Sequence, residues 1–271
     1  MTHIYKVSGN ATTGDILAFI CSAVSEGADA AVAASSLPVL TRHAGCQPQG
    51  SGECSGAFVF HALPGARAGC GLLERALAAL LLLLLFPVLA AAALLLFLFE
   101  GAPVMFRQER YGREGAPFPL LKFRTMMRRS ELLHEKLQLK LGTADHLFKL
   151  EHDPRVTRIG RFMRNTFLDE LPQLVNVVRG EMSFIGPRPL PESDQKHYTQ
   201  PFHALRLKGV PGMTGLWQVA GRNERTFDEM CLLDVYYLCN RSAALDLRIV
   251  VRTLGLMLRQ IGLKREPERG S

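Results

Sequence analysis

Residues 76–99 (ALAALLLLLLFPVLAAAALLLFLF) form a run of 24 with no charged and no strongly polar side chain. As a helix this run is roughly 36 Å long, against a hydrocarbon core of roughly 30 Å. The other residues of the 271 keep the averages ordinary, at 48% hydrophobic and 21% charged, yet a wholly soluble protein is not the expectation. Pro87 falls near the middle of the run. It removes one backbone hydrogen bond and clashes with the carbonyl four residues earlier, so a kink or break is expected there. Each half then reaches roughly 17 Å, about mid-bilayer. Arg67 and Arg75 precede the run, and Arg107, Arg110, Arg113, Lys122 and Arg124 follow it. Basic flanks favour the cytoplasm. A re-entrant helix–break–helix satisfies both flanks and a Pro-kinked single span satisfies one; the residues alone leave both open.

The net charge of +7 is uneven. In residues 1–70, Lys6, Arg42 and Arg67 stand against Asp15, Glu26, Asp29 and Glu53, which leaves +8 for the remainder. That remainder favours an acidic partner: nucleic acid, an anionic membrane face or a phosphorylated small molecule. Residues 1–70 are rich in Gly, Ser and Pro (GCQPQGSGECSG at 45–56), with short apolar runs such as 16–20. They read as a poorly ordered or accessory extension, and no basic segment leads into an early apolar core as in a secretory signal. The six cysteines form no CxxC pair, so reduced thiols are expected. His43, Cys46, Cys54 and His61 lack the close pairs of a structural zinc site.

The densest constellation is RVTRIGRFMRNTFLDELPQ at 155–173. Arginines at every third position spread over half a helix circumference, so some are expected to be solvated or paired structurally; Arg164 is the best placed to share a pocket with Asp169. Thr166 is a candidate N-cap, and Pro172 fits only a first helical turn, which puts Asp169 and Glu170 at a helix N-terminus. An ionised Asp beside arginines suits a nucleophile or a Mg²⁺ ligand, with its neighbour as second ligand or proton-transfer group. Charge compensation of the helix alone accounts for the pair equally simply. Two Pro/Gly-rich segments, SFIGPRP (183–189) and VPGMTGLWQ (210–218), then Gly221-Arg222-Asn223, expose backbone N–H groups suited to a nucleotide or diphosphate; Trp217 reads as core. Residues 120–125 read as a short strand or turn, 131–141 as a helix. Leu247, Val250, Val251, Leu254, Leu258 and Ile261 form one face of a C-terminal helix with Arg248, Arg252 and Arg259 on another stripe, suited to a membrane interface or to packing on the domain.

Together these segments resemble the bacterial sugar transferases, the monotopic phosphoglycosyl transferases. The matching pieces are the apolar segment with its central proline, KFRTM (122–126), DPRVTRIGRFMR (153–164), LDELPQLVNVVRGEMSFIGPRPLP (168–191), VPGMTGLWQVAGRN (210–223) and LDVYYLCNRS (233–242). They cover about residues 72–265 and omit residues 1–70. The resemblance implies an α/β, mostly α, membrane-associated catalytic domain (101–271) behind a re-entrant anchor (71–100), with interfacial amphipathic helices, on the cytoplasmic face of the bacterial inner membrane. It implies transfer of a sugar phosphate from a UDP-sugar to polyprenyl phosphate with release of UMP, Mg²⁺ being required. Asp169 matches the nucleophile, which forms a covalent phosphosugar intermediate, and Glu170 its partner, both at the metal; Lys122 and Arg164 match the cations beside them. Pro187, Arg188 and Pro189 match the motif of the nucleotide pocket, and Arg222 and Asp234 further substrate-side positions. Implied partners are UDP-sugar, polyprenyl phosphate and membrane lipids without nucleic acid; a homodimer stays open. Phe167 stands where relatives commonly have Ser, and Phe86 where they often have a small polar residue. An inactive membrane scaffold and a UDP-sugar hydrolase are the competing functions.

Overall fold

The computed structural model describes residues 3–7, 56–60, 70–128, 130, 153–195, 197–199, 201–220 and 226–263. The candidate zinc residues, the helix expected over 131–141 and Arg222 lie outside these. In the N-terminal extension β1 (His3–Val7) and β2 (Gly56–Phe60) pair antiparallel.

The apolar run forms a helix, α1 (Leu72–Glu100), of 29 residues. Among the described residues it is the one helix long and apolar enough to cross a membrane. The helix continues through Pro87, so the break expected there is not made. Pro87 and Leu83, whose carbonyl loses its partner, are both exposed, so no packed neighbour opposes the local opening that a proline ring requires. Ala78, Ala92 and Leu96 are buried, and with the half-buried Leu81, Leu85 and Leu89 they make a stripe at spacings of three and four. Most of the remaining circumference is exposed, with Leu72 and Leu73 more than four-fifths so.

Both ends of α1 are fastened to the same domain. In its first turn the Glu74 carboxylate accepts from Ser183 Oγ and from Phe184 N (3.1 Å), and Arg75 Nε donates to Val178 O (2.8 Å). At its last turn Arg124 Nη2 donates to Glu100 O (2.9 Å) and Gly101 O (2.8 Å), placing a cation on carbonyls that the helix cannot satisfy itself.

A hairpin follows, β3 (Met105–Tyr111) against β4 (Pro117–Phe123), in a register that sets Phe106 opposite Lys122. Of residues 120–125, expected as a strand or turn, 120–123 form the end of β4 and 124–125 lie beyond it. Then come α2 (Arg158–Thr166), α3 (Gln173–Arg179), β5 (Ser183–Ile185), α4 (Glu192–Gln195), a 3₁₀ stretch Pro201–Lys208, β6 (Gly212–Thr214), α5 (Leu216–Val219), α6 (Phe227–Asn240) and α7 (Ala243–Leu263). β5 and β6 pair in parallel, Ser183 opposite Gly212 and Ile185 opposite Thr214. The described residues are thus mostly helical, with three two-stranded sheets.

α6 is buried on nearly all sides and centres the largest core cluster; two smaller ones join α1 to β4 with α3, and to α2. α7 buries Ile249 and leaves Leu247, Val251, Leu254 and Leu258 more than half exposed. The apolar face read from the sequence is therefore not the face packed on the domain.

Asn176, fully buried, ties α3 to β4: its Oδ1 accepts from Leu121 N (3.1 Å) and its Nδ2 donates to Pro119 O (2.8 Å) and Glu181 Oε2 (2.6 Å). Asn176→Ala strands these groups in the core and is expected to cost about 3 kcal/mol, read as a lower thermal midpoint of the purified protein.

Candidate active site

The end of β4 and the turn after α2 meet because α2 lies unusually close to the strand. Thr157 caps α2, its hydroxyl accepting from Gly160 N (2.9 Å), and its own N–H donates to Thr125 O (3.1 Å). A Cβ at Gly160 would stand 2.1 Å from Thr125 O, so only glycine permits this approach. At its far end α2 stops at Phe167, held in the left-handed region (φ 58°, ψ 13°). This reverses the chain into the 3₁₀ turn Leu168–Glu170, which carries both carboxylates.

The N-cap expected at Thr166 is not formed. Thr166 is the last residue of α2, and its hydroxyl donates back to Phe162 O (2.9 Å) and Met163 O (3.2 Å); capping needs extended backbone, which this helical residue lacks. Pro172 occupies the N-cap position of α3, where its missing N–H matters little. Asp169 and Glu170 thus lead into α3 rather than sitting in its first turn.

Asp169 is 8% exposed. Burial first, then the neighbouring Glu170 charge, push its carboxyl up to about 6, while Lys122 and Arg164 pull it back. Lys122 Nζ lies 2.8 Å from Glu170 Oε1. Arg164 donates from Nε to Thr125 Oγ1 (2.8 Å); burial lowers its pKa, against which Asp169 is the largest opposing charge. The structure therefore brings together Asp169, Glu170, Lys122 and Arg164. Of the other arginines in the run, Arg155 pairs with Asp153 (2.7 Å) and Arg158 and Arg161 are exposed.

Beside the dyad lies an open cleft with Lys122, Glu170, Gln173, Arg110, Arg188 and Gln218 on its walls. Pro187 and Pro189 are buried and Arg188 half-buried, its guanidinium 5.3 Å from the Trp217 ring centre. Trp217 itself is core, as expected. Arg110 enters the cleft although its sequence position marks only a basic flank; the β3–β4 register, invisible in composition, brings it there. Burial, with the nearby Arg188 charge, lowers its pKa to about 10, still cationic at neutral pH. Asp234, expected on the substrate side, is 1% exposed and bonded to the equally buried Arg206, so its carboxylate is a core group and not a wall of the cleft.

The dyad suits Mg²⁺. That ion takes one or two carboxylates and completes its octahedron with water and phosphate oxygens. Here burial and then the adjacent Glu170 charge raise Asp169, and a dication would offset both. Among the described residues no group of three or more His, Cys, Asp and Glu gathers as an all-protein cage would require.

The family model described as bacterial sugar transferase matches residues 67–260. The chain is 46% identical over 166 residues to the UDP-galactose-lipid carrier transferase of Erwinia amylovora, covering 60% of this chain and 34% of that protein. It is 41% identical over 167 residues to the undecaprenyl-phosphate galactose phosphotransferase of Salmonella typhimurium, covering 60% and 35%. It is 40% identical over 194 residues to the UDP-glucose:undecaprenyl-phosphate glucose-1-phosphate transferase of Caulobacter vibrioides, covering 69% and 68%. The chain thus spans about a third of the first two relatives and about two thirds of the third.

Ionised at neutral pH inside the domain, Asp169 costs the fold on the order of 2–3 kcal/mol. Its folded pKa lies above the unfolded one, so this cost is present above pH 6 and gone below about pH 4. Asp169→Asn is expected to raise the thermal midpoint at pH 7.5 by a few degrees, the gap over wild type closing as pH falls through 6.

Proposed function

The chain belongs to the bacterial sugar transferase family, and from that premise we propose that it transfers a sugar phosphate from a UDP-sugar to polyprenyl phosphate, releasing UMP. The observation that carries this reading is a mostly buried carboxylate, Asp169, set among Lys122, Arg164 and Glu170 at the edge of an arginine-walled cleft. A carboxylate oxygen of Asp169 attacks the β-phosphorus; the bond from that phosphorus to the bridging oxygen breaks, and UMP leaves with the electron pair. An oxygen of polyprenyl phosphate then attacks the aspartyl phosphosugar, freeing the carboxylate and forming the polyprenyl diphosphate sugar.

Attack of an anion on an anion needs cations on the phosphoryl oxygens. Lys122 and Arg164 would flank the nucleophile, and Arg188 and Arg110, on the cleft wall, are assigned in this proposal to the departing nucleotide phosphate. Asp169 and Glu170 would hold Mg²⁺, which when bound neutralises charge on the diphosphate.

The catalytic domain, 101–271, sits in this proposal on the cytoplasmic face of the inner membrane with 71–100 as a re-entrant anchor; because α1 is unbroken, this requires it to bend at Pro87 when it enters the bilayer. Supporting it, the first turn of α1 is bonded to Ser183, Phe184 and Val178 and the last turn to Arg124, all in one domain. A helix crossing the bilayer would carry one of these ends away. The bare apolar face of α7 gives the domain a second membrane contact. For residues 1–70 we propose only an accessory role.

UMP release is expected to require both Mg²⁺ and polyprenyl phosphate, and Asp169→Asn to abolish it, in an assay across a panel of UDP-sugars. Lipid-independent turnover would identify a hydrolase, and no turnover with any donor a scaffold. Because the nucleophile must be ionised, kcat/KM should fall about tenfold per pH unit below the pH at which Asp169 takes up its proton, which bound Mg²⁺ sets below the metal-free value of about 6. In a cysteine-free background, Leu72→Cys and Ala102→Cys should both react with an impermeant maleimide from the cytoplasmic side; labelling from opposite sides would make α1 a single span.

A further inference from the structure

Three consecutive carbonyls in Pro187-Arg188-Pro189 are each held by a donor from a different part of the chain. Gly212 N donates to Pro187 O (2.9 Å), Arg206 Nη2 to Arg188 O (2.7 Å) and Arg110 Nη1 to Pro189 O (3.1 Å). Arg206 is 2% exposed, against an Asp234 that is 1% exposed. Its Nε lies 3.1 Å from Asp234 Oδ2, and its Nη2 is bonded to the same oxygen as well as to the carbonyl.

A buried ion pair is a weak stabilising device. Desolvation of both ions offsets their attraction, and apolar pairs of similar volume are often as stable. An apolar pair cannot supply a charged donor for Arg188 O, and charge-assisted bonds are the strong ones in a site shielded from water. The two prolines fix φ on either side of Arg188; the grip on its carbonyl fixes the intervening peptide plane. The guanidinium then leaves the backbone in a set direction, over Trp217 and into the cleft wall.

We propose that Arg206, anchored by Asp234, is a positioning residue: it holds the Arg188 carbonyl so that the Arg188 guanidinium is already in the cleft when substrate arrives. This rests on the reading of that cleft as the site of a nucleoside diphosphate sugar. Preorganisation of this kind acts on substrate affinity and on geometry at the reacting centre. It gives Asp234 a function through Arg206 and Arg188 without any contact with substrate.

The test is the paired variant Arg206→Met/Asp234→Leu, which removes both charges together and leaves neither buried alone. It is expected to keep a thermal midpoint within a few degrees of wild type, to raise KM for the UDP-sugar about tenfold and to leave KM for polyprenyl phosphate within about twofold. The chain has one tryptophan, Trp217, so its emission reports the guanidinium above it without any turnover. The emission maximum of the paired variant should coincide with that of Arg188→Met and differ from wild type. Arg206→Lys keeps the charge facing Asp234 but is one bond shorter, so its Nζ stops short of the position from which Nη2 reaches both Asp234 and the Arg188 carbonyl; it should move KM and emission the same way, and it decides the matter should the paired variant not fold. Wild-type KM and wild-type emission in these variants would overturn the proposal. If the wild-type protein turns over no UDP-sugar, the functional reading falls while the emission comparison still decides whether Arg206 positions Arg188.

Discussion

Two adjacent carboxylates sit mostly out of water in this domain, and much of the surrounding structure serves to make that tolerable. Lys122 can reach Glu170 at 2.8 Å because Asn176 pins β4 to α3 and because Gly160 lets α2 lie against Thr125. Arg164, on the last turn of α2, is steered by the Thr125 hydroxyl. Lysine and arginine lower the charge penalty on Asp169 without removing it, and the carboxyl stays near 6. A carboxylate poised so close to neutrality is mostly ionised at pH 7 and, as the proposed nucleophile, would meet a diphosphate among cations already in place.

The backbone contributes strain to the same end. Phe167 is a bulky residue in the left-handed region, a conformation that costs roughly 1–2 kcal/mol for an L-residue. It ends α2 abruptly and turns the next three residues back toward β4. Continued helix would carry Asp169 round the axis instead of into the angle between strand and helix.

Much of this site was legible in the sequence because chemistry and local spacing coincide there. KFRTM, the Asp-Glu dyad and Pro-Arg-Pro each place their candidate residues within a few positions, and the fold keeps them together. What was not legible depends on tertiary contacts or on one dihedral. The Thr166 cap failed because φ at Phe167 decides which side of the helix end Thr166 falls on. The family resemblance put Asp234 on the substrate side, and local spacing could not reveal its partner Arg206, 28 positions away. Arg110 read as a flanking charge because only the hairpin register reveals where it points. Periodicity identified the apolar face of α7 but not its neighbour; the burial of Ile249 on another face settles that this stripe is not packed on the domain.

The anchor and the site share their backbone. Arg124, which holds the last turn of α1, is two residues beyond Lys122 in the same extended segment. Ser183 and Phe184, which hold its first turn through Glu74, open β5, the strand that runs directly into Pro187 and Arg188. A displacement of either end of α1 is therefore passed along short, hydrogen-bonded segments to a cation of the cleft. In the proposed arrangement a membrane-embedded helix fastened at both ends sets the height of Lys122 and Arg188 above the bilayer together. The acceptor phosphate has a fixed depth at the headgroups, so a site built on separate, flexibly joined elements would have to find that depth anew in each encounter. Fastening the anchor to the strands that carry the cations removes that search.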